Sequence, residues 1–182
     1  AKLAEALGFQ ESLSKAEEIG ALSEDAAQRM MEFRDWEPLP LIGPLVHDAD
    51  VSSACFSPDG SRLVTGSRKG QIKLWDPNSG AESLAIDGHD GDVCQIAWRP
   101  DGQQWATVGD DGKIKLWDAS SGQEIRTLRG HTAQVISVAW NTDGSLLATG
   151  DAAGAVKLWN PTQTQESIVL EGHHLAVWSP DG

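Results

Sequence analysis

The side chains that could carry out chemistry recur along this chain at one fixed distance. Histidines stand at His47, His89, His131 and His173, each 42 residues after the one before. A metal site needs several ligands close together, and His174, directly after His173, has no third ligand nearby in the sequence. The spacing therefore predicts that the histidines are structural and that the chain has no metal site.

Paired carboxylates, which general acid–base catalysis uses, occur at Asp90 and Asp92 and at Asp110 and Asp111. These pairs fall in predicted turns, where carboxylates are usually solvated. The glycines also fall in hairpin turns at the repeat spacing, so no glycine-rich loop that would cradle a phosphate is predicted. We therefore expect a protein that is not an enzyme, with no catalytic residue and no cofactor.

The 42-residue period extends well beyond the histidines and divides most of the chain into repeated units. Residues 89–130 are the most regular unit. Self-similarity at such a period is typical of repeat proteins, in which one small unit cannot bury its faces alone. The period predicts repeats at 47–88, 89–130 and 131–172, followed by a truncated fourth repeat at 173–182.

Each repeat contains four runs of strand-forming residues separated by turn signals. In the middle repeat these runs are Val93–Trp98, Gln104–Val108, Lys113–Trp117 and Glu124–Leu128. Four short antiparallel strands in about 40–45 residues are typical of one blade of a β-propeller. The predicted fold class is all-β, a partial propeller of about three four-stranded blades preceded by a short α-helical segment.

Two recurring motifs give the repeats a family resemblance that covers roughly residues 39–182. One motif ends the third strand of each repeat, and the other is a Gly-His pair between repeats. The chain resembles WD40 repeats at Leu74-Trp75-Asp76, Leu116-Trp117-Asp118, Leu158-Trp159-Asn160, Gly88-His89, Gly130-His131 and Gly172-His173.

The resemblance implies a hydrogen-bonded tetrad of His, Ser or Thr, Asp and Trp inside a blade. The Asp position holds Lys69 in the first repeat and Ala153 in the third. A network that lacks one partner leaves buried polar groups unsatisfied, so the first and third blades are expected to be less rigid than the second. The complete tetrad is expected in the middle repeat, at His89, Thr107, Asp111 and Trp117.

The resemblance also implies a binding face, formed by the loops before the first strand and between the second and third strands. Three carboxylates on neighbouring repeats predict a protein or peptide partner, and a basic one would complement them. Ordinary solvation of turn residues is the alternative explanation. The matching positions are Asp50, Asp92 and Gln134 before the first strand, with Arg68 and Asp110 in the later turn.

Composition restricts the partners further. The formal net charge of −13 argues against binding to nucleic acid or to an anionic membrane, because phosphate binding needs concentrated Lys and Arg. Cys55 and Cys94 have apolar sequence neighbours and predict buried free thiols in a reducing compartment, so a cytoplasmic location is expected. No apolar run approaches the length of a membrane span.

Most of the eight tryptophans occupy two positions of the repeat, with no tyrosine in the chain. This regularity predicts packing between blades, not a ligand cage. The first position holds Trp75, Trp117 and Trp159, and the second holds Phe56, Trp98, Trp140 and Trp178.

The two ends of the chain depart from the repeat. Residues 1–34 predict three short helices, which form either a cap on the propeller or the end of a preceding helical domain. Residues 35–46 predict a proline-rich linker, and Leu41–Val46 resembles a strand that helps to close a propeller ring. Trp178 follows His173 by only five residues, which indicates a truncated or incomplete fourth blade.

The sequence therefore predicts a non-enzymatic scaffold for protein–protein interactions, whose remaining blades come from further chain or from a second copy. The alternative is a sensor or autoinhibitory domain of a larger signalling protein such as a STAND-type ATPase, which the predicted N-terminal helices favour. A propeller enzyme would need a cluster of polar residues facing the central channel. Fold alone does not decide among these functions.

Overall fold

The computed structural model describes residues 45–163 and 166–171, which form three antiparallel sheets of four strands each. Within each sheet the strands lie side by side in sequence order. Blade 1 contains β1 (Val51–Phe56), β2 (Leu63–Ser67), β3 (Gln71–Trp75) and β4 (Glu82–Asp87). Blade 2 contains β5 (Val93–Trp98), β6 (Gln104–Gly109), β7 (Ile114–Asp118) and β8 (Glu124–Leu128). Blade 3 contains β9 (Val135–Trp140), β10 (Leu147–Asp151), β11 (Ala155–Trp159) and β12 (Glu166–Glu171).

The predicted all-β fold with four-stranded blades is confirmed, and the strand bounds of the middle repeat differ by at most one residue. The β5–β6 connection shows how the sequence sets these bounds. Gly102 has a φ of 69°, a left-handed conformation that costs glycine little, and its N–H donates to the Arg99 carbonyl at 2.9 Å. Asp101 accepts the N–H of Gln103 at 3.0 Å and so closes the turn.

The apolar core of the described residues lies between blades, where the sheet of one blade faces the next. The first strand of blade 2, β5, packs against β1 and β2 of blade 1. The first strand of blade 3, β9, packs in the same way against β5 and β6. The core between blades 1 and 2 includes Val64, Ile72, Val93, Ile96 and Trp98. The core between blades 2 and 3 includes Val108, Leu116, Val135, Val138 and Trp140.

A tryptophan N–H reinforces each of these junctions. Trp98 Nε1 donates to the Cys55 carbonyl at 3.1 Å, and Trp140 Nε1 donates to the Ala97 carbonyl at 3.2 Å. Phe56 holds the same position in blade 1, but its side chain is 57% exposed. The prediction that Phe56 packs between blades is therefore wrong for the described residues, because none of their strands covers that face of β1.

Several sequence predictions lie outside the described residues, namely the helices of residues 1–34, most of the 35–46 segment and the fourth repeat at 173–182. Leu45 and Val46 are described and are not in a strand. Both cysteines are free thiols, but they are half-buried and not fully buried as predicted. Within the described part of the chain, no helix has the length and hydropathy that a membrane crossing requires.

Close approach of blades 1 and 2 depends on a glycine in β2. A Cβ added to Gly66 would lie 2.5 Å from Cγ1 of Val93 on β5. We expect Gly66→Ala to lower the free energy of unfolding by about 1–3 kcal/mol, as overpacking of a core does. Urea denaturation measures this change.

The matched background for that substitution is Val93→Gly, which removes all three side-chain atoms that the new Cβ would meet. In that background we expect Gly66→Ala to cost less than half as much, because contacting residues are coupled. An equal cost in both backgrounds would show that packing between the two blades is not the reason for the glycine.

Candidate functional site

A chain of hydrogen bonds crosses blade 2 from its third strand to its turns. Trp117 Nε1 on β7 donates to Thr107 Oγ1 on β6 at 2.9 Å, and Thr107 Oγ1 lies 2.8 Å from Nε2 of His89. Nδ1 of His89 lies 2.9 Å from Oδ1 of Asp111, in the turn between β6 and β7. The geometry brings together the four residues of the expected tetrad, all of them largely or fully buried.

The chemistry of the donors fixes the direction of this chain. An indole N–H can only donate, so the Thr107 oxygen accepts from Trp117, and the Asp111 carboxylate can only accept, so Nε2 of a neutral His89 is left to accept the Thr107 hydrogen. A neutral His89 then carries its proton on Nδ1 and donates it to Asp111. The network is a fixed relay from Trp to Asp and leaves no group free to react with a substrate.

Burial agrees with this assignment of protons. Burial lowers the pKa of His89 by more than the neighbouring Asp111 carboxylate raises it. The ring is therefore neutral at pH 7. Burial alone would raise the pKa of Asp111, but the hydrogen bonds from His89 and from the N–H groups of Lys113 and Asp90 hold that pKa at about 2. The carboxylate is therefore ionised.

Blade 3 contains the same relay with its carboxylate at a different position. His131 Nε2 lies 2.7 Å from Thr149 Oγ1, which accepts from Trp159 Nε1 at 2.7 Å. Asp151, the last residue of β10, places Oδ2 at 2.7 Å from Nδ1 of His131. The prediction that the third repeat lacks this partner because it has Ala153 is therefore wrong.

The sequence does carry a signal for this exchange. Asp151 is 42 residues after Gly109, where an added Cβ in blade 2 would lie 3.0 Å from His89 Nδ1. A side chain at that position thus points at the histidine. In blade 3, Oδ1 of Asp151 also accepts the N–H groups of Ala153 and Ala155 at 3.1 and 2.9 Å. Asp151 therefore closes the turn after β10 as well as pairing with the histidine.

Blade 1 has the first part of the relay without its carboxylate. Trp75 Nε1 donates to Thr65 Oγ1 at 2.7 Å, and Thr65 Oγ1 lies 2.6 Å from His47 Nε2. Ser67 stands at the position of Asp151, and its hydroxyl lies 3.3 Å from Oδ1 of Asp48. His47 Nδ1 has no carboxylate partner and makes no hydrogen bond of good geometry, although the buried Oε1 of Gln71 is near enough to act on the ring, and a poorly satisfied buried donor is costly.

The two carboxylates should therefore matter equally, although only one stands at the usual place in the repeat. We expect Asp111→Ala and Asp151→Ala each to cost about 1–3 kcal/mol of unfolding free energy, because each leaves a buried histidine N–H unpaired. Lys69→Ala in blade 1 is the matched control and should change stability by less than about 0.5 kcal/mol. A neutral Asp151→Ala in urea denaturation would contradict the relay in blade 3.

The buried histidines also predict how stability depends on pH. Burial lowers the pKa values of His47 and His89 below the ordinary value of 6.5, so the unfolded chain binds protons more readily than the fold. Their contribution to stability is complete above about pH 6.5 and falls as the pH drops below it. A second loss is expected between about pH 4 and 2, as Asp111 becomes protonated.

Urea midpoints measured from pH 7.5 to 5 check this expectation. Because His89 still contributes, His47→Gln should make the decline shallower without removing it. Stability that rises on acidification, or a decline identical in the variant, would contradict the assignment of neutral buried rings.

The residues predicted to bind a partner lie on what we call the loop face, made of the segments before β1, β5 and β9 and the turns after β2, β6 and β10. One backbone hydrogen bond joins the two segments in each blade. The N–H of Arg68 donates to the Asp50 carbonyl at 2.9 Å, and that of Asp110 to the Asp92 carbonyl at 3.1 Å. Blade 3 repeats the bond between Ala152 and Gln134 at 2.9 Å.

Side chains connect the loop face across both blade junctions. Arg68 Nη1 lies 3.9 Å from Oδ2 of Asp92 on the next blade, and Gln134 Nε2 donates to Oδ1 of Asp110. The structure therefore brings the five predicted residues into one row over three blades. Asp50 is exposed at one end of it.

Sequence reasoning missed one member of this row. The thiol of Cys94 lies 3.5 Å from Asp110 Oδ1 and 3.2 Å from Gln134 Nε2, so its neighbours are polar and not only apolar. Burial raises the pKa of Cys94 to about 11, which keeps the thiol protonated and unreactive. No group of three potential metal ligands occurs among the residues that the structure describes. The face offers acceptors and one guanidinium for binding.

Comparisons with known proteins agree with this architecture. The family model for WD40, described as WD domain, G-beta repeat, matches residues 41–76, 81–118 and 122–160. No curated protein matches the chain. A solved structure titled "Structure of U3-55K" is similar with a TM-score of 0.68 and 25% identity, over 70% of this chain and 41% of that one. One titled "Crystal structure of RRP9 WD40 repeats" has a TM-score of 0.68 and 26% identity, over 70% of this chain and 40% of that one. This chain thus spans about two fifths of each structure.

Proposed function

The chain belongs to the WD40 family, and on that premise we propose that it is a non-enzymatic scaffold that binds a basic protein or peptide segment on its loop face. WD40 repeats support a role in protein interaction in general. The row of side chains from Asp50 to Gln134 is the observation that carries the choice of surface.

Rigidity of the loops supports this choice. Asp92 lies three residues after His89, and Asp110 lies next to Asp111, so the buried relay of blade 2 holds both segments from within. A surface whose residues are already ordered loses less conformational entropy when a partner binds. The tetrad thus serves binding indirectly, through the position of the loops.

Charge supports a basic partner. Asp50, Asp92 and Asp110 outnumber the single Arg68 in the row, whereas Asp90 beside it is paired with Lys113 at 2.9 Å. The excess of carboxylates on a chain of net charge −13 attracts cationic segments and raises their association rate. The guanidinium of Arg68 already faces Asp92, so Arg68 contributes to the alignment of a bound partner more than to its attraction.

The absence of an activated nucleophile in the row supports a function without catalysis. Its thiol is held protonated, and the carboxylates of Asp92 and Asp110 face Arg68 and Gln134 across the junctions. Acceptors arranged in this way bind a partner but have no group poised to attack one.

The test compares two variants with the same change in charge. Asp50→Asn combined with Asp110→Asn removes the two exposed carboxylates of the row. Asp76→Asn combined with Asp143→Asn makes the same exchange in turns at the opposite ends of the strands, where both carboxylates accept backbone N–H groups. Partners captured from the native source with the wild-type protein are then measured by association kinetics at two salt concentrations.

We expect the loop-face variant to slow association by about 3- to 10-fold at low salt and to weaken its salt dependence, because steering acts through exposed charge. The control variant should stay within about twofold of wild type on the same reasoning. Equal rates for both variants would show that partners do not dock on the loop face.

A further inference from the structure

The turns at the opposite end of the blades form a groove between blades 1 and 2. It has a volume of about 670 Å³ and lies among the β1–β2, β5–β6 and β7–β8 turns. We propose that this groove is a second docking site, which takes an arginine side chain presented by a peptide segment of a partner protein. It is separate from the loop face and does not depend on the function proposed for that face.

The chain itself shows an arginine in the corresponding place one blade further on. At the junction of blades 2 and 3, the guanidinium of Arg99 lies over the ring of Trp140, 5.8 Å from its centroid. Arg99 Nε also donates to the Gly144 carbonyl at 3.0 Å, and the guanidinium interacts with Asp143. An internal arginine therefore covers the tryptophan at that junction.

The groove repeats this arrangement without the arginine. Trp98 and Gly102 stand 42 residues before Trp140 and Gly144, and both line the groove. Ser57 stands 42 residues before Arg99, and its short side chain does not extend over a ring. No arginine at that position lies over Trp98, whose ring borders the groove and is 8% exposed, as Trp140 is.

The carboxylates of the groove also match an arginine. Asp59 and Asp101 are the counterparts of Asp101 and Asp143, the two carboxylates that interact with Arg99. Asp101 lies 3.4 Å from Arg99 Nη1, so it would be shared between Arg99 and an arginine in the groove. Hydrogen bonds from Ser57 and Ser61 lower the pKa of Asp59 to about 2, so it is ionised. A guanidinium between two carboxylates is recognised by shape as well as by charge.

A third carboxylate, Asp118, belongs to the groove alone, since blade 3 has Asn160 at that position. The hydrogen bonds from Ser120 and Ser121 all reach its Oδ1, which leaves Oδ2 for a ligand. Arg62 is the cation among the lining residues, and it already donates to the Ala119 carbonyl. The groove therefore has an excess of negative charge, which complements the positive charge of an arginine and would repel an acidic peptide or a phosphate.

The apolar part of the groove would hold the stem of the arginine. Trp98 is held in place by its bond to the Cys55 carbonyl and by Trp105, whose ring centroid is 5.3 Å away. Pro58 and Pro100 form walls whose backbone is restricted before any ligand arrives. Methylene groups packed on such a surface, with the charged head among carboxylates, suit both ends of an arginine side chain.

The experiment uses the full-length protein labelled with nitrogen-15 and follows the indole N–H signal of Trp98. The probe is a capped five-residue peptide with one arginine between two leucines, and the matched probe carries citrulline, which has the same shape without the charge. We expect the arginine peptide to shift the Trp98 signal at millimolar concentrations and the citrulline peptide to leave it in place.

Variants locate the binding in the groove. Asp59→Asn combined with Asp118→Asn should weaken the binding of the arginine peptide by about 3- to 10-fold, since an exposed ion pair contributes modestly to affinity. Asp76→Asn combined with Asp143→Asn makes the same exchange in equivalent turns outside the groove and should have an effect below about twofold. Ser57→Arg supplies an internal arginine at the position of Arg99 and should abolish binding, because its guanidinium would occupy the groove.

Three results would overturn the proposal: a Trp98 signal that the arginine peptide does not move, equal shifts from both peptides, or equal weakening in the two double variants. Asp50→Asn combined with Asp110→Asn on the loop face should leave peptide binding in the groove unchanged. The experiments therefore distinguish failure of the proposed groove site from failure of the proposed loop-face site.

Discussion

The hydrogen bond from a threonine hydroxyl to Nε2 of a buried histidine determines much of the structure around it. Because the Asp111 carboxylate can only accept, the neutral ring of His89 carries its proton on Nδ1, and its Nε2 accepts the hydrogen of Thr107. A buried N–H requires an acceptor, so a carboxylate is needed at that point. Asp111 meets the requirement in blade 2 and Asp151 in blade 3, and each also closes the adjoining turn. The interior of the blade thus holds its loops.

Packing between blades supplies the other constraint. One four-stranded sheet cannot bury both faces, so each innermost strand is covered by the blade beside it. The glycine at Gly66 and the indole N–H of Trp98 both serve this contact, one by allowing a close approach and the other by binding a carbonyl across the junction. The two junctions are nevertheless unlike at the turns, because one has Arg99 where the other has Ser57. A binding site can arise where one repeat has a different side chain from the others at the same position.

The period of 42 and the turn signals were enough to predict the strands and the blades, because each repeat must form the same contacts with its neighbours, and the resemblance to WD40 repeats implied the middle tetrad. It was not enough for blade 3, since a carboxylate two residues earlier reaches the same nitrogen from the end of a strand. Phe56 was predicted to be packed because it shares a repeat position with Trp98 and Trp140, whereas its side chain is 57% exposed and no described strand covers that face of β1. The row on the loop face was predicted by position. Its pairing of Arg68 with Asp92 and Gln134 with Asp110 depends on distances between blades, which the sequence does not contain.

The protonation of the buried rings tests this account most directly. Nitrogen-15 NMR of the imidazole groups at pH 7 distinguishes the two neutral tautomers from the charged ring. The account predicts that His89 and His131 are neutral, protonated at Nδ1, with that proton protected from exchange by Asp111 and Asp151. Rings protonated at Nε2, or charged at pH 7, would contradict the relay and with it the explanation of how the blades hold their loops.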